Sequence, residues 1–272
     1  MSDPPLVKDG PAGHGGRVTL ETALHAHLAA CGATHGDDRG VLLPLRFGDP
    51  ATEYRALRDA AAVVDLGFRT LVTATGEDRA GFLQGMLTND VVGLTPGAGC
   101  SALLLTIQGR VVADVRVAAT PQAILLDVDL RVRDALVAAL EKLLIADDVI
   151  LAAPAEAVAL LGVEGPGAAA LLGEGIAALS PGAHLMHRLD GVEVRVVRAS
   201  EVGGPGFVLH VPVSVAAQVW DALVRGGAVP CGLEAVEGRR VEVGVPRIGL
   251  DMDEHVLALE VPVEDAISTT KG

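Results

Sequence analysis

Carboxylates and arginines that interrupt apolar segments are where this chain's chemistry should be sought. Asp114 breaks the apolar run from Val111 to Val117. If that run is a strand, alternation sets Asp114 on the face opposite its apolar neighbours, toward solvent or toward a bound polar group. Arg240 and Glu242, in Arg-Arg-Val-Glu-Val-Gly, share one face if the segment is a strand and fall on adjacent turns if it is helical. By residue type alone they read as a surface ion pair of small energetic worth. The formal charge of −14 excludes nucleic acid as a main partner, since affinity for a phosphate backbone comes from Lys and Arg. A small anionic ligand would need a local basic patch, for which Arg69, Arg110, Arg116, Arg239, Arg240 and Arg247 are the candidates.

Other clusters carry less. Gly162, Gly165 and Gly167 mimic a phosphate loop, but the order is not that of a dinucleotide fingerprint and no Lys-Ser/Thr follows. Pro166 at a helix start accounts for them. His25 and His27 fall on different sides of a helix, and His184, His187, His210 and His255 lack a third ligand at metal spacing, so no metal is expected. Cys31, Cys100 and Cys231 are far apart, which suggests neither a disulfide framework nor a thiolate cage and makes a reducing cytoplasm the default. No Gly-x-Ser-x-Gly elbow or Cys/His nucleophile arrangement occurs.

The elements that must position these groups are legible in outline. With 272 residues and half of them apolar, the chain is long enough for two subdomains. Its aromatic supply is limited to Phe47, Tyr54, Phe68, Phe82, Phe207 and Trp220, so stacking platforms are few. Residues 1–16 are rich in Pro, Gly and Asp and are expected to be disordered. They lack the basic and apolar regions of a secretory signal, and no apolar stretch reaches the ~18 residues of a spanning helix, so no membrane is expected. Leu20, Leu24 and Leu28 have helical spacing, and Phe82, Leu83, Met86 and Leu87 mark a helix over 77–87. Two strands flank the Gln108-Gly109 turn, Ala-Ile-Leu-Leu-Asp-Val-Asp gives a third, and 134–146 form a second helix. That order suggests a split βαβ unit in an α+β fold, with a second such unit following. The expected division is an N-terminal extension over 1–50 with one short helix, a first subdomain over 51–153 and a second over 154–272.

The stretches GEDRAGFLQGMLTNDV, GCSALLLTIQGRVVADVRV and ALVAALEKLLIADDV resemble the first half of the folate-binding YgfZ family, related to the glycine-cleavage T-protein (aminomethyltransferase). GRRVEVGVPRIGLDMDE and LEVPVEDAISTTKG resemble the segment that leads, in that family, into a Lys-Gly-Cys-Tyr-x-Gly-Gln-Glu signature. Lys271 and Gly272 would be its remnant, with the chain truncated there and a C-terminal barrel absent. The resemblance implies two ferredoxin-like subdomains and a tetrahydrofolate ligand. It also implies an auxiliary role toward iron–sulfur proteins and one-carbon balance in the cytoplasm. Asp114 would meet the pterin, and Arg240 would bind the ligand with Glu242 in support. On charge alone, Arg69 and Arg110 would attract the glutamate tail. The loop Thr88-Asn89-Asp90 would lie near the cavity.

Two departures separate the chain from T-proteins. Ala113-Asp114 stands where they have paired acids, and Gly203-Gly204-Pro205-Gly206-Phe207-Val208 lacks the glutamate they place on the pterin. Aminomethyl transfer to tetrahydrofolate is therefore the rival reading, and a folate-free scaffold a third.

Overall fold

The computed structural model describes residues 19–153 and 158–271, so the expected disorder of 1–16 lies outside the described residues. Within 20–46, β1 (Leu20–Glu21), α1 (His25–Ala30), β2 (Thr34–Asp38) and β3 (Val41–Arg46) form a three-stranded sheet in the order β1-β3-β2 beside one short helix. Leu20, placed by its spacing in the helix, is in β1 instead. The β2–β3 hairpin turns on Arg39 and Gly40, both with positive φ (54° and 94°), the conformation that suits a two-residue hairpin loop.

A five-stranded antiparallel sheet comes next. It contains β5 (Arg69–Thr75), α3 (Arg79–Met86), β6 (Gly99–Leu105), β7 (Val111–Ala119), β8 (Ile124–Asp129), α4 (Arg133–Glu141) and β9 (Ile150–Ala152), in the strand order β6-β7-β8-β5-β9. The unit β8-α4-β9 encloses β5, which is the expected split βαβ connection; β8 enters between β7 and β5 and makes five strands where the expected pattern used four. Alternation in β7 sends Ala113, Val115 and Val117 to a core completed by Phe82, Leu83, Leu136 and Leu140 of α3 and α4, while Val111, beyond a register shift, packs with Leu103, Ile248 and Met252. Asp114 and Arg116 are left on the other face.

The six-stranded sheet has the order β11-β12-β13-β10-β4-β14, built from β4 (Ala62–Asp65), β10 (Val158–Glu164), β11 (His184–Leu189), β12 (Val192–Val197), β13 (Gly206–Pro212) and β14 (Val229–Pro230). β4, from the stretch expected to open the first subdomain, pairs here with β10 and β14. One face packs on α5 (Ala168–Leu172) and α6 (Ala216–Arg225) around Phe207 and Trp220, and Leu24 and Leu28 join the same core. The other packs on α2 (Pro50–Asp59) and α7 (Leu233–Val243). Sheets with helices laid against them, and antiparallel pairing throughout the five-stranded sheet, make this an α+β fold. Among the described residues no helix is long and apolar enough to cross a membrane.

The two large sheets meet at a glycine contact. A Cβ on Gly182, whose φ is +77°, would stand 2.4 Å from the carbonyl oxygen of Gly99. Gly182→Ala should therefore cost about 1–3 kcal/mol from strain plus clash. Gly191, at φ +80° with open space around it, isolates the strain alone. Thermal melts should show Gly182→Ala lowering Tm by several degrees more than Gly191→Ala; equal shifts would mean that the contact is slack.

Candidate functional site

The polar face of the five-stranded sheet forms one wall of a cavity of about 500 Å3. The 197–203 loop, α7 and residues 244–248 form the other walls, with 262–266 at the lip. On the sheet wall, Arg69 Nε donates to Asp127 at 2.7 Å and its Nη1 to Asp114 Oδ2 at 3.4 Å. Arg116 Nη1 donates to Glu201 at 2.6 Å and to Asp127 at 3.4 Å. Two guanidiniums thus face three carboxylates, and the surplus falls on Asp114: its Oδ1 is buried and accepts no hydrogen bond. A buried acceptor without a partner is costly, so a donor supplied by a ligand would be well placed there.

The charges of the opposite wall are paired, although the buried Arg247 Nε has no acceptor among the described residues. Arg240 donates to Glu237 at 2.5 Å and to Asp251 at 2.6 Å. Arg247 donates to Glu237 at 2.8 Å, pairs with Asp38, and lies 4.4 Å above the Phe68 ring. Arg198 differs from the other arginines of the lining: it lies 4.8 Å from the Phe207 ring and has no carboxylate partner among the described residues.

The 198–205 loop is held from behind by Glu164. This fully buried carboxylate accepts from the Ser200 hydroxyl at 2.7 Å and from the Glu201 N–H at 2.8 Å, and Gly165 N–H donates to Pro205 O at 2.8 Å. Burial pushes the Glu164 carboxyl up to about 7. For Glu201 burial acts the same way, but Arg116 and Arg69 overcome it and hold the carboxyl at about 2. Two neighbouring acids, Glu164 at the end of β10 and Glu201 on the loop it holds, thus have opposite protonation preferences: burial dominates for the first and ion pairing for the second. His210, also on the cavity wall, is pushed down to about 3 by burial and then by Arg195, so it stays neutral.

The GCVT N-terminal domain model matches residues 24–271. The chain belongs to that family. The aminomethyltransferase of Ralstonia nicotianae is 31% identical over 89% of this chain and 70% of its own length. Those of Bordetella pertussis (31% identity; 85% and 64%) and Methylococcus capsulatus (30%; 88% and 66%) are comparable, so the chain spans about two thirds of such relatives. The glycine cleavage system aminomethyltransferase T from Bartonella henselae superposes with a TM-score of 0.78 at 23% identity, over 86% of this chain and 65% of that one, which is a likeness of fold.

Of the residues singled out by sequence, this family domain brings Asp114, Arg69 and Arg240 to the cavity, with Arg116 and Arg247. It does not bring Glu242, Arg110 or Arg239. The Arg240 segment is a helix, in which two residues turn the chain by about 200°. Glu242 is consequently exposed and bound to Arg239 and the Tyr54 hydroxyl. Arg110 is exposed in its hairpin and donates to His255 O at 2.6 Å. Lys271 Nζ donates to the carbonyls of Gln84 (2.7 Å) and Leu87 at the end of α3, where a cation is favoured; Gly272 lies outside the described residues. Thr88 and Asn89 tie down the cavity lip, donating to Ala266 O at 2.6 Å and Asp265 O at 2.9 Å.

Sequence reasoning did not find Asp127, Glu201, Glu237 or Arg198. Asp127 had the same signal as Asp114, a charge inside an apolar strand. Glu201 had none, because its partners are 85 and more residues away. The Ala113 departure also changes meaning: residue 113 faces the apolar core, so its lost acid removes nothing from the cavity.

Glu164 gives a pH signature. Its folded value near 7 lies above the ordinary 4.5, so the folded state holds this proton more tightly than the unfolded chain. Its contribution is most favourable below pH 4.5 and declines as pH rises toward 7. Glu164→Gln, a mimic of the protonated acid, should gain up to roughly 3 kcal/mol relative to the wild type across that window. Denaturant unfolding at pH 4.5, 6 and 8 checks it; a pH-independent difference would contradict the assignment.

Proposed function

We propose that the cavity binds a reduced folate, with the pterin against Asp114 and the glutamate tail toward Arg198. The observation that carries this reading is the unpartnered, buried Asp114 Oδ1 in a cavity of about 500 Å3. That volume falls within the range usual for small-molecule sites. A pterin presents ring N–H and amino donors, which suit an acceptor-only carboxylate. The glutamate tail is anionic and suits the arginine that has no carboxylate of its own. Membership of the GCVT family and kinship with aminomethyltransferases support the choice of ligand.

The reaction class this favours is aminomethyl transfer to tetrahydrofolate. Asp114 would hold a pterin nitrogen by its hydrogen, in line with a methylene presented on a carrier, so that catalysis is chiefly positioning. Glu201 supplies a second acid to the cavity although the 203–208 run has none. A second reading, a folate-binding auxiliary protein of YgfZ type serving iron–sulfur enzymes, rests on the segment LEVPVEDAISTTKG; for that role Asp114 and Arg198 would hold the ligand and no transfer would occur.

Calorimetric titration of tetrahydrofolate and of a tetrahydropterin without the glutamate tail tests the ligand assignment. Arg198→Ala should weaken tetrahydrofolate about tenfold, the effect of losing one half-buried charge-assisted pair, and leave the tetrahydropterin unchanged. Equal weakening of both, or of neither, would remove Arg198 from the tail site. Methylene-tetrahydrofolate formed from an aminomethylated carrier separates the transferase from the auxiliary reading.

A further inference from the structure

Away from the cavity, α1 and α6 bring three ligand-type side chains together. His27 Nε2 lies 2.8 Å from Asp221 Oδ1 and 3.8 Å from Cys31 Sγ, and the three donor atoms are within 4.8 Å of one another. We propose that His27, Cys31 and Asp221 form a site for a divalent transition metal of the zinc class, with water as the fourth ligand.

The geometry fits that chemistry. Bonds of about 2.0 Å to nitrogen and oxygen and about 2.3 Å to sulfur, at tetrahedral angles, space N from O by about 3.3 Å and N from S by about 3.5 Å. Widening the N–O spacing by about half an ångström and closing the N–S spacing by about 0.3 Å admits the ion. A thiolate with an imidazole selects soft or borderline ions over Mg2+ and Ca2+, which take oxygen ligands.

The donors are also held in place. His27 and Cys31 are one helical turn apart, joined by the Cys31 N–H to His27 O bond at 3.0 Å. Leu24 and Leu28 beside them are buried in the same core as Val219, Trp220 and Leu223 of α6, which flank Asp221. The backbones that carry the donors are therefore fixed by packing, while Cys31 itself is exposed and gives the ion a path in. The bare pair of His27 with Asp221 accounts for two of the donors but gives the thiol no role. Sequence spacing concealed the site because Asp221 is 194 residues from His27.

Bound metal would pin the N-terminal helix to α6 and stabilise the folded chain by mass action. The test is titration of the reduced, full chain with Co2+ alone, followed by absorbance. One equivalent should saturate, with a thiolate-to-cobalt charge-transfer band that Zn2+ abolishes. Cys31→Ser should lose the band, and His27→Asn and Asp221→Asn should each weaken binding at least tenfold, with circular dichroism spectra unchanged. Cobalt should raise Tm in the wild type and not in Cys31→Ser. Absence of the band at saturating cobalt, its survival in Cys31→Ser, or equal affinity in Asp221→Asn would overturn the site; so would weak binding shared by all variants, the mark of a general acidic surface.

Discussion

A buried charge must be paired, and that constraint organises this fold. Arg69 and Arg116 leave the five-stranded sheet on its polar face, among residues otherwise removed from water. Asp127, on the neighbouring strand, answers part of their charge. The remainder is answered from outside the sheet, by Glu201 on the loop joining β12 and β13 of the other large sheet. Removing one member would leave an uncompensated ion, at a cost of about 3–5 kcal/mol. The two sheets are thus joined across the cavity by ion pairs as well as by the close backbone contact of Gly99 with Gly182.

The same arithmetic gives the cavity its character. In the cluster that Arg69 and Arg116 form with Asp114, Asp127 and the loop residue Glu201, the carboxylates exceed the guanidiniums by one, and the excess appears at Asp114 as an oxygen without a donor. On the far wall Arg240 and Arg247 are consumed by Glu237, Asp251 and Asp38, so they shape the site without offering it charge. Only Arg198 keeps an unanswered cation among the arginines of the lining. One acceptor and one spare cation, on different sides of a cavity of small-molecule size, define a ligand with donors at one end and negative charge at the other. Reduced folate has that polarity, and the family to which the chain belongs includes enzymes named aminomethyltransferases.

What could be read from the sequence follows the range of the interactions. The helices α3 and α4 and the β6–β7 hairpin rest on local apolar periodicity and turn residues, and they were legible, as was the α+β class. The pairing of β4 with β10, a strand contributed across about a hundred residues, leaves no local trace. Asp114 was legible because alternation makes a charge in an apolar strand conspicuous. Glu242 was misplaced because a spacing of two means one face on a strand and opposite faces on a helix, and the segment Arg-Arg-Val-Glu-Val fits either period. Glu201 sits in a loop with no period at all, and its role arises only when Arg69 and Arg116 are folded against it. The kinship with T-proteins is shown by the family match; the narrower YgfZ assignment stays a proposal.

The most direct test is a crystal structure of the chain with tetrahydrofolate. The account predicts the pterin in the 500 Å3 cavity, with one of its N–H groups within hydrogen-bond distance of Asp114 Oδ1 and the Arg69–Asp127–Arg116–Glu201 pairs intact. A ligand bound elsewhere, or a cavity that stays empty at saturating tetrahydrofolate while Asp114 finds a protein partner, would contradict it.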